Sequence, residues 1–146
     1  MSKDLVNVKK AKKLLQGFFK NWKIEIEYEM RDGKLRAKSH ITAKPYDDDI
    51  FMAIWVSPKG ALNVNFYFDY LQINQHTLQL VNDFNNNVVG LKVSIDDDGG
   101  LIVTHQANIV TLDVLIDYVD EVMGDLIADN TVKYLKPLTA LTTSKE

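Results

Sequence analysis

The sequence predicts an α+β domain: one antiparallel sheet with helices packed against it, in the order α-ββββ-α-ββ-α. Three observations predict it. The hydrophobic period switches from helical spacing to alternation and back. Two turn signals, Asp32-Gly33 and Asp96 to Gly100, each sit between alternating runs. Four strand-like runs follow one another between residues 23 and 69 with only turns or a polar loop between them, as in a meander.

Residues 3–20 read as an amphipathic helix. Leu5, Val8, Leu15, Phe18, Phe19 and Trp22 recur at spacings of three, four and seven, with lysines on the other face, and Gly17 weakens the end. Ile24, Ile26, Tyr28 and Met30 then alternate with Lys23, Glu25, Glu27 and Glu29, as in a half-buried strand. Asp32-Gly33 is a hairpin signal, because both central residues must accept positive φ. Leu35, Ala37, Ser39 and Ile41 alternate with Lys34, Arg36, Lys38 and His40 on the return, so the glutamates of one strand are expected to face cations on the next.

Lys44 to Asp49 reads as a polar loop around Pro45. Ile50 to Val56 is continuously apolar and is expected to be a central strand covered on both faces. After the turn Ser57 to Gly60, Leu62, Val64, Phe66 and Phe68 alternate with polar residues in a fourth strand. Phe51, Trp55, Phe66 and Phe68 are expected in the core, and Tyr46, Tyr67 and Tyr70 at the surface.

Residues 74–87 form the second expected helix, with Leu78, Val81 and Phe84 inward and Asn85-Asn86-Asn87 at its end. A hairpin follows, from Leu91 through Ile95 to Leu101, Val103 and Ala107. Thr111 is the expected N-cap of a third helix, whose stripe runs from Leu112 to Ile127. Gly124 within it suggests close packing or a late bend. Residues 1–141 make a single domain in this reading and 142–146 a flexible tail.

Hydrophobic residues at 46% and charged residues at 25% match an ordinary globular domain. The chain has no cysteine, which excludes disulfides, thiolate nucleophiles and sulfur-based zinc sites. A reducing cytoplasm is the expected location. The N-terminus does not read as a secretory signal, because lysines interrupt it, and no apolar run has membrane-spanning length.

Charge is unevenly placed. Residues 1–23 carry seven lysines against Asp4, whereas residues 96–129 carry nine acids and no Lys or Arg. Lys9, Lys10, Lys12 and Lys13, with Tyr67 and Tyr70, are therefore the candidate interaction residues. The first helix lacks arginine and the whole chain is acidic, which argues against nucleic acid. A solvated helix face is the default reading of these lysines; the alternative is complementarity between the basic first helix and the acidic third, either within the chain or across a homodimer.

Chemistry-bearing motifs do not emerge. His40, His76 and His105 have no partner at ligand spacing. Counting Gly99 as the sixth position of a calcium loop puts Ser94 first and His105 twelfth, so Asp96-Asp97-Asp98-Gly99 is read as a turn. Asp47, Asp48 and Asp49 are read as loop acids. Neither a phosphate loop nor a nucleophile elbow is present. No cofactor or metal is expected, and no enzymatic role.

Leu80-Val81-Asn82-Asp83-Phe84-Asn85 and Val93 to Val103, with its acidic turn, resemble motifs of the YbjN-like bacterial family. That family's fold is similar to type III secretion chaperones. The likeness covers residues 50–128 best, and the strong strands at 23–43 depart from it. The resemblance implies a sensory, regulatory or chaperone-like protein with no established chemistry. Within the motif, Asn82, Phe84 and Asn85 are expected to be structural, with an inward Asn82 tying its helix to neighbouring backbone. The function expected is a non-enzymatic protein-interaction domain acting on a protein partner. The alternative is a small-ligand-binding or enzymatic domain whose site is assembled from distant residues, such as Asn82 with loop acids.

Overall fold

The computed structural model describes residues 6–46 and 49–144. Leu5, Asp47 and Asp48 lie outside the described residues. The chain runs α1 (Val8–Asn21), β1 (Glu27–Arg31), β2 (Lys34–Thr42), β3 (Asp49–Val56), β4 (Ala61–Tyr70), α2 (Gln75–Asn87), β5 (Lys92–Ile95), β6 (Gly100–Asn108), a 3-10 turn (Leu112–Val114), α3 (Leu115–Ile127) and α4 (Asp129–Thr139). It is an α+β fold with one six-stranded sheet in the order β1-β2-β3-β4-β6-β5, antiparallel throughout.

Local chemistry explains the element ends. Asn7 caps α1 by accepting from the backbone N–H of Lys9 and Lys10. Lys23, at φ +57°, then turns the chain out of the helix. Asp32 and Gly33, at φ +54° and +77°, make the expected tight hairpin. Asn74 and Thr77 form a reciprocal capping box at the start of α2. At the β5–β6 turn, Asp96 accepts from the N–H of Asp98 and Gly100. Gly99 beside it has φ +90°, and a Cβ there would lie 2.6 Å from the Leu71 carbonyl oxygen.

Alternate residues of β2, β3, β4 and β6 point into one continuous core, whereas Met30 of β1, expected on the half-buried side, is 51% exposed. Leu35, Ile50, Met52, Ile54, Leu62, Val64, Phe66, Leu101 and Val103 meet Leu15, Phe19, Phe84, Leu115, Val119 and Leu126 from the helices. All the helices cover that one face. The expectation that β3 is covered on both faces is therefore corrected: Phe51 and Trp55 are half-buried on the uncovered face, whereas Phe66 and Phe68 are core residues as expected. A run of alternating and apolar residues cannot say whether a second layer exists.

Further differences have local causes. β1 starts at Glu27, three residues later than the alternation from Ile24 suggests, because Ile24–Ile26 do not join the ladder. Leu78 is 52% exposed, and Thr77 takes the inward place because the capping box turns its hydroxyl toward the Gln72 and Asn74 carbonyls. Tyr46 is buried, and its hydroxyl donates to the Leu126 carbonyl at 2.6 Å. Thr111 precedes the 3-10 turn but makes no side-chain cap bond. Gly124 is exposed, with nothing within 4 Å of a Cβ placed there, so close packing does not explain it. α4 was not anticipated, although Thr131, Leu135 and Leu138 are buried at helical spacing. Residues 142–144, read as the start of a loose tail, include Thr143, which exchanges two backbone hydrogen bonds with Tyr70.

Candidate functional site

The outer ladder is incomplete, and this creates the main surface feature. β2 pairs with β3 along its whole length, from Leu35↔Val56 to Thr42↔Asp49. On its other edge it pairs with β1 only from Lys34 to Lys38. Alternate residues of an antiparallel strand direct their N–H and C=O groups to opposite edges. Part of the backbone of Ser39–Thr42 therefore points away from β3 without a strand beside it. The preceding chain stays close through one side-chain bond, from the Ser39 hydroxyl to the Glu25 carbonyl.

A groove of about 870 Å³ opens between Trp22–Glu27 on one side and Lys38–Thr42 on the other. Ile41 is buried, Ile24 and Ile26 are half-buried, and Trp22 stands 57% exposed at the end of α1. Lys23, Lys38 and His40 contribute cations or a titratable ring, and Glu25 and Glu27 contribute carboxylates. The groove joins apolar contact area, charges of both signs and unpaired backbone.

A second surface is the uncovered face of the sheet. Phe51, Tyr67 and Ile102 lie side by side across β3, β4 and β6, with the Phe51 and Tyr67 rings 5.7 Å apart. The Arg36 guanidinium sits over Trp55 at 5.1 Å and pairs with Glu29 at 3.0 Å. This hydrogen bond, more than the neighbouring cations, holds the Glu29 carboxyl below its ordinary pKa. Glu27 pairs with Lys38 at 3.7 Å, so the expected cross-strand ion pairs are present.

The predicted site residues separate. Lys9, Lys10 and Lys13 are exposed on α1, while Lys12 is half-buried over the Tyr28 ring at 5.9 Å. Tyr67 lies on the uncovered sheet face. Tyr70 is half-buried at the end of β4, bonded through its backbone to Thr143. Asn82 is exposed, which corrects the expectation of an inward amide. Asn85 makes the tie instead: it donates to the Val93 carbonyl at 3.0 Å and accepts from the Val93 N–H at 2.8 Å. Phe84 is fully buried.

The histidines are scattered. His40 lies 3.1 Å from Asp49 at the surface, and His76 is exposed on α2. The Nδ1 of His105 lies 2.7 Å from the Gly90 carbonyl. Among the described residues, no group of three or more His, Asp or Glu side chains could hold a metal ion, and no helix is long and apolar enough to cross a membrane.

No family model and no curated protein matches the sequence. Among solved structures, the chain is similar to the Yersinia pestis type III secretion chaperone SycH, crystallised in complex with a stable fragment of YscM2. The TM-score is 0.44 at 12% identity, over 79% of this chain and 95% of that one. The α+β architecture rests on the strand order and register themselves.

The groove had no sequence signal of its own. Ile24 and Ile26 alternate as a paired strand would, and only the end of the ladder at Glu27 opens the space.

Proposed function

We propose that this chain is a non-enzymatic protein-interaction domain, chaperone-like or regulatory in the YbjN-like sense and cytoplasmic, that holds an extended segment of a partner protein. One observation carries the reading: the free half of the β2 edge, Ser39–Thr42, lies inside a groove walled by Trp22 and Ile24. An added strand takes its main-chain hydrogen bonds from the unpaired edge and its selectivity from side chains that alternate into the walls. Exposed sheet edges invite unwanted pairing and are usually kept short or charged. The outer strands β1 and β5 follow that rule, at five and four residues. The free half of β2 is recessed instead. An exposed tryptophan at its rim suits an anchoring contact, since interface energy concentrates in a few aromatic and Arg residues.

The test is capture of a partner by the tagged protein from host lysate under a salt wash, followed by hydrogen exchange on the purified complex. Protection concentrated in residues 39–42, and loss of capture in Trp22→Asp, support the reading. Capture that Trp22→Asp leaves intact, with no protection at 39–42, overturns it. Stabilisation by a metabolite in a thermal-shift screen, with no protein recovered, favours the small-ligand alternative.

A further inference from the structure

We infer that the uncovered face of the sheet binds a nucleotide, its base against Trp55 and its phosphate between Arg31 and Lys34. The inference is independent of the groove, which shares no residue with this site. A cavity of about 360 Å³ opens between the β1–β2 hairpin and the start of β4, a size common among small-ligand pockets. Arg31, Asp32 and Lys34 line its hairpin end, Trp55 its floor on β3, and Ala61 and Asn63 its β4 side.

Strand register brings these side chains together. Arg31 and Lys34 oppose each other across the hairpin. Trp55 lies between Arg36 on β2 and Asn63 on β4. The Arg36 guanidinium rests against the ring at 5.1 Å but takes no part in the cavity lining.

The cavity holds unused recognition groups of different kinds. The side-chain oxygen of Asn63 is buried and accepts no hydrogen bond, whereas buried acceptors normally have a partner. The next amide on that face, Asn65, is already engaged by the Thr104 hydroxyl at 2.8 Å. Arg31 and Lys34 are exposed, and neither forms an ion pair among the described residues. The nearby Glu27 and Glu29 are taken up by Lys38 and Arg36. Asp32 is the only carboxylate among the described residues of the lining, so cations exceed it there.

One ligand chemistry answers all of these. Any base stacks on an aromatic side chain, because each has a π-face. An amide meets the donors and acceptors of a base edge. Paired cations meet a phosphate, and arginine does so with a planar fork. A nucleotide carries ring, polar edge and anion in one molecule, and open antiparallel sheets bearing aromatic side chains are a general platform for such units. The lysine-rich α1 lacks arginine, but both arginines of the chain, Arg31 and Arg36, lie in this hairpin. An adjoining hollow of about 330 Å³ shares Ala61 and Asn63 and reaches Gln106 and Asn108, which gives room for a neighbouring unit of a single strand.

The test is an NMR titration of the isotope-labelled full chain with adenosine monophosphate and with a single-stranded hexaadenylate RNA. The Trp55 indole and Asn63 side-chain amide signals are expected to shift. Adenosine and ribose phosphate, each lacking one anchor, are expected to bind more weakly than the monophosphate. Trp55→Ala weakens binding at least ~5-fold. Arg31→Gln with Lys34→Gln weakens it about 10-fold at low salt and flattens its salt dependence. Should Trp55→Ala disturb folding, judged by circular dichroism, the exposed cation pair carries the test. Tighter binding of the RNA than of the monophosphate assigns the site to a single strand, and equal binding assigns it to a free nucleotide; both support the inference. Absence of a shift at Trp55 and Asn63 with either probe overturns it. So do shifts confined to Trp22 and the α1 lysines, or an affinity that the cation variant leaves unchanged.

Discussion

The side chain of Asn85 reaches from the last turns of α2 to the edge strand β5, where it both donates to and accepts from the backbone of Val93. One amide thus satisfies an N–H and a C=O of a strand that has a ladder on only one side. The same α2 residue holds Lys92 through its own carbonyl, at 3.1 Å from the lysine nitrogen. Asn85→Ala leaves both Val93 groups unpaired and is expected to cost about 1–3 kcal/mol. Asn85→Asp loses the donor and sets a carboxylate against the Val93 carbonyl, so it should cost at least as much. Asn82→Ala, at an exposed position, should fall within about 0.5 kcal/mol of wild type. Urea unfolding of the three variants checks the assignment.

Gly17 and Gly124 lie inside α1 and α3, and a methyl group at either would meet no atom within 4 Å. Alanine restricts the unfolded chain and adds helix propensity without a clash. Each Gly→Ala change is expected to stabilise by roughly 0.5–1 kcal/mol. Gly99→Ala is the contrasting control, because its φ is positive and the Leu71 carbonyl occupies the space; it should destabilise. Thermal unfolding of the three single variants separates these outcomes.

Asp125 carries a raised pKa, chiefly from burial, with Glu121 adding to the shift and His105 opposing it. Its carboxyl binds a proton more tightly in the folded than in the unfolded chain. The ionised group therefore destabilises the native state at neutral pH, and that penalty disappears as pH falls below the unfolded value, about 3.9. Asp125→Asn is expected to be more stable than wild type at pH 7, with the difference shrinking toward acid pH. Denaturant unfolding across the acid range measures it.

Burial lifts the Tyr28 hydroxyl to about 12. Its neutral form is the one the folded state favours, so the stability linked to it is complete below about pH 10 and is lost as pH rises through the folded value. Burial raises the Tyr46 hydroxyl further still, so ultraviolet titration of the native protein should show two late phenolates, of which Tyr28→Phe removes the earlier. Ionisation of Tyr28 together with the exposed tyrosines would contradict the assignment.

Much of the architecture was legible because its signals are local. The Asp32-Gly33 turn requires two positive φ angles, and the chain adopts them. The pairing of Glu29 with Arg36 follows from that turn, since register sets which residues lie opposite each other. α4 was also legible in principle, at Thr131, Leu135 and Leu138. Pro137 lies in the last turn of that helix, where a proline removes only one late hydrogen bond. Asn82 follows Leu78 by four residues and so shares its face, which points outward because Thr77 takes the inward place.

By itself, the sequence determined the element types, the antiparallel hairpins, the cysteine-free core and the opposite charges of its two halves. These depend on residue periodicity, turn chemistry and composition, which neighbouring residues specify. Only the tertiary structure decided that Phe51 and Trp55 lie on a face no helix covers, and that β1 leaves β2 half unpaired. It also decided that α1 and α3 adjoin with no ion pair between their described residues. Those facts depend on how many layers pack and where a ladder ends, and side-chain alternation is the same in a strand that is paired, covered or free.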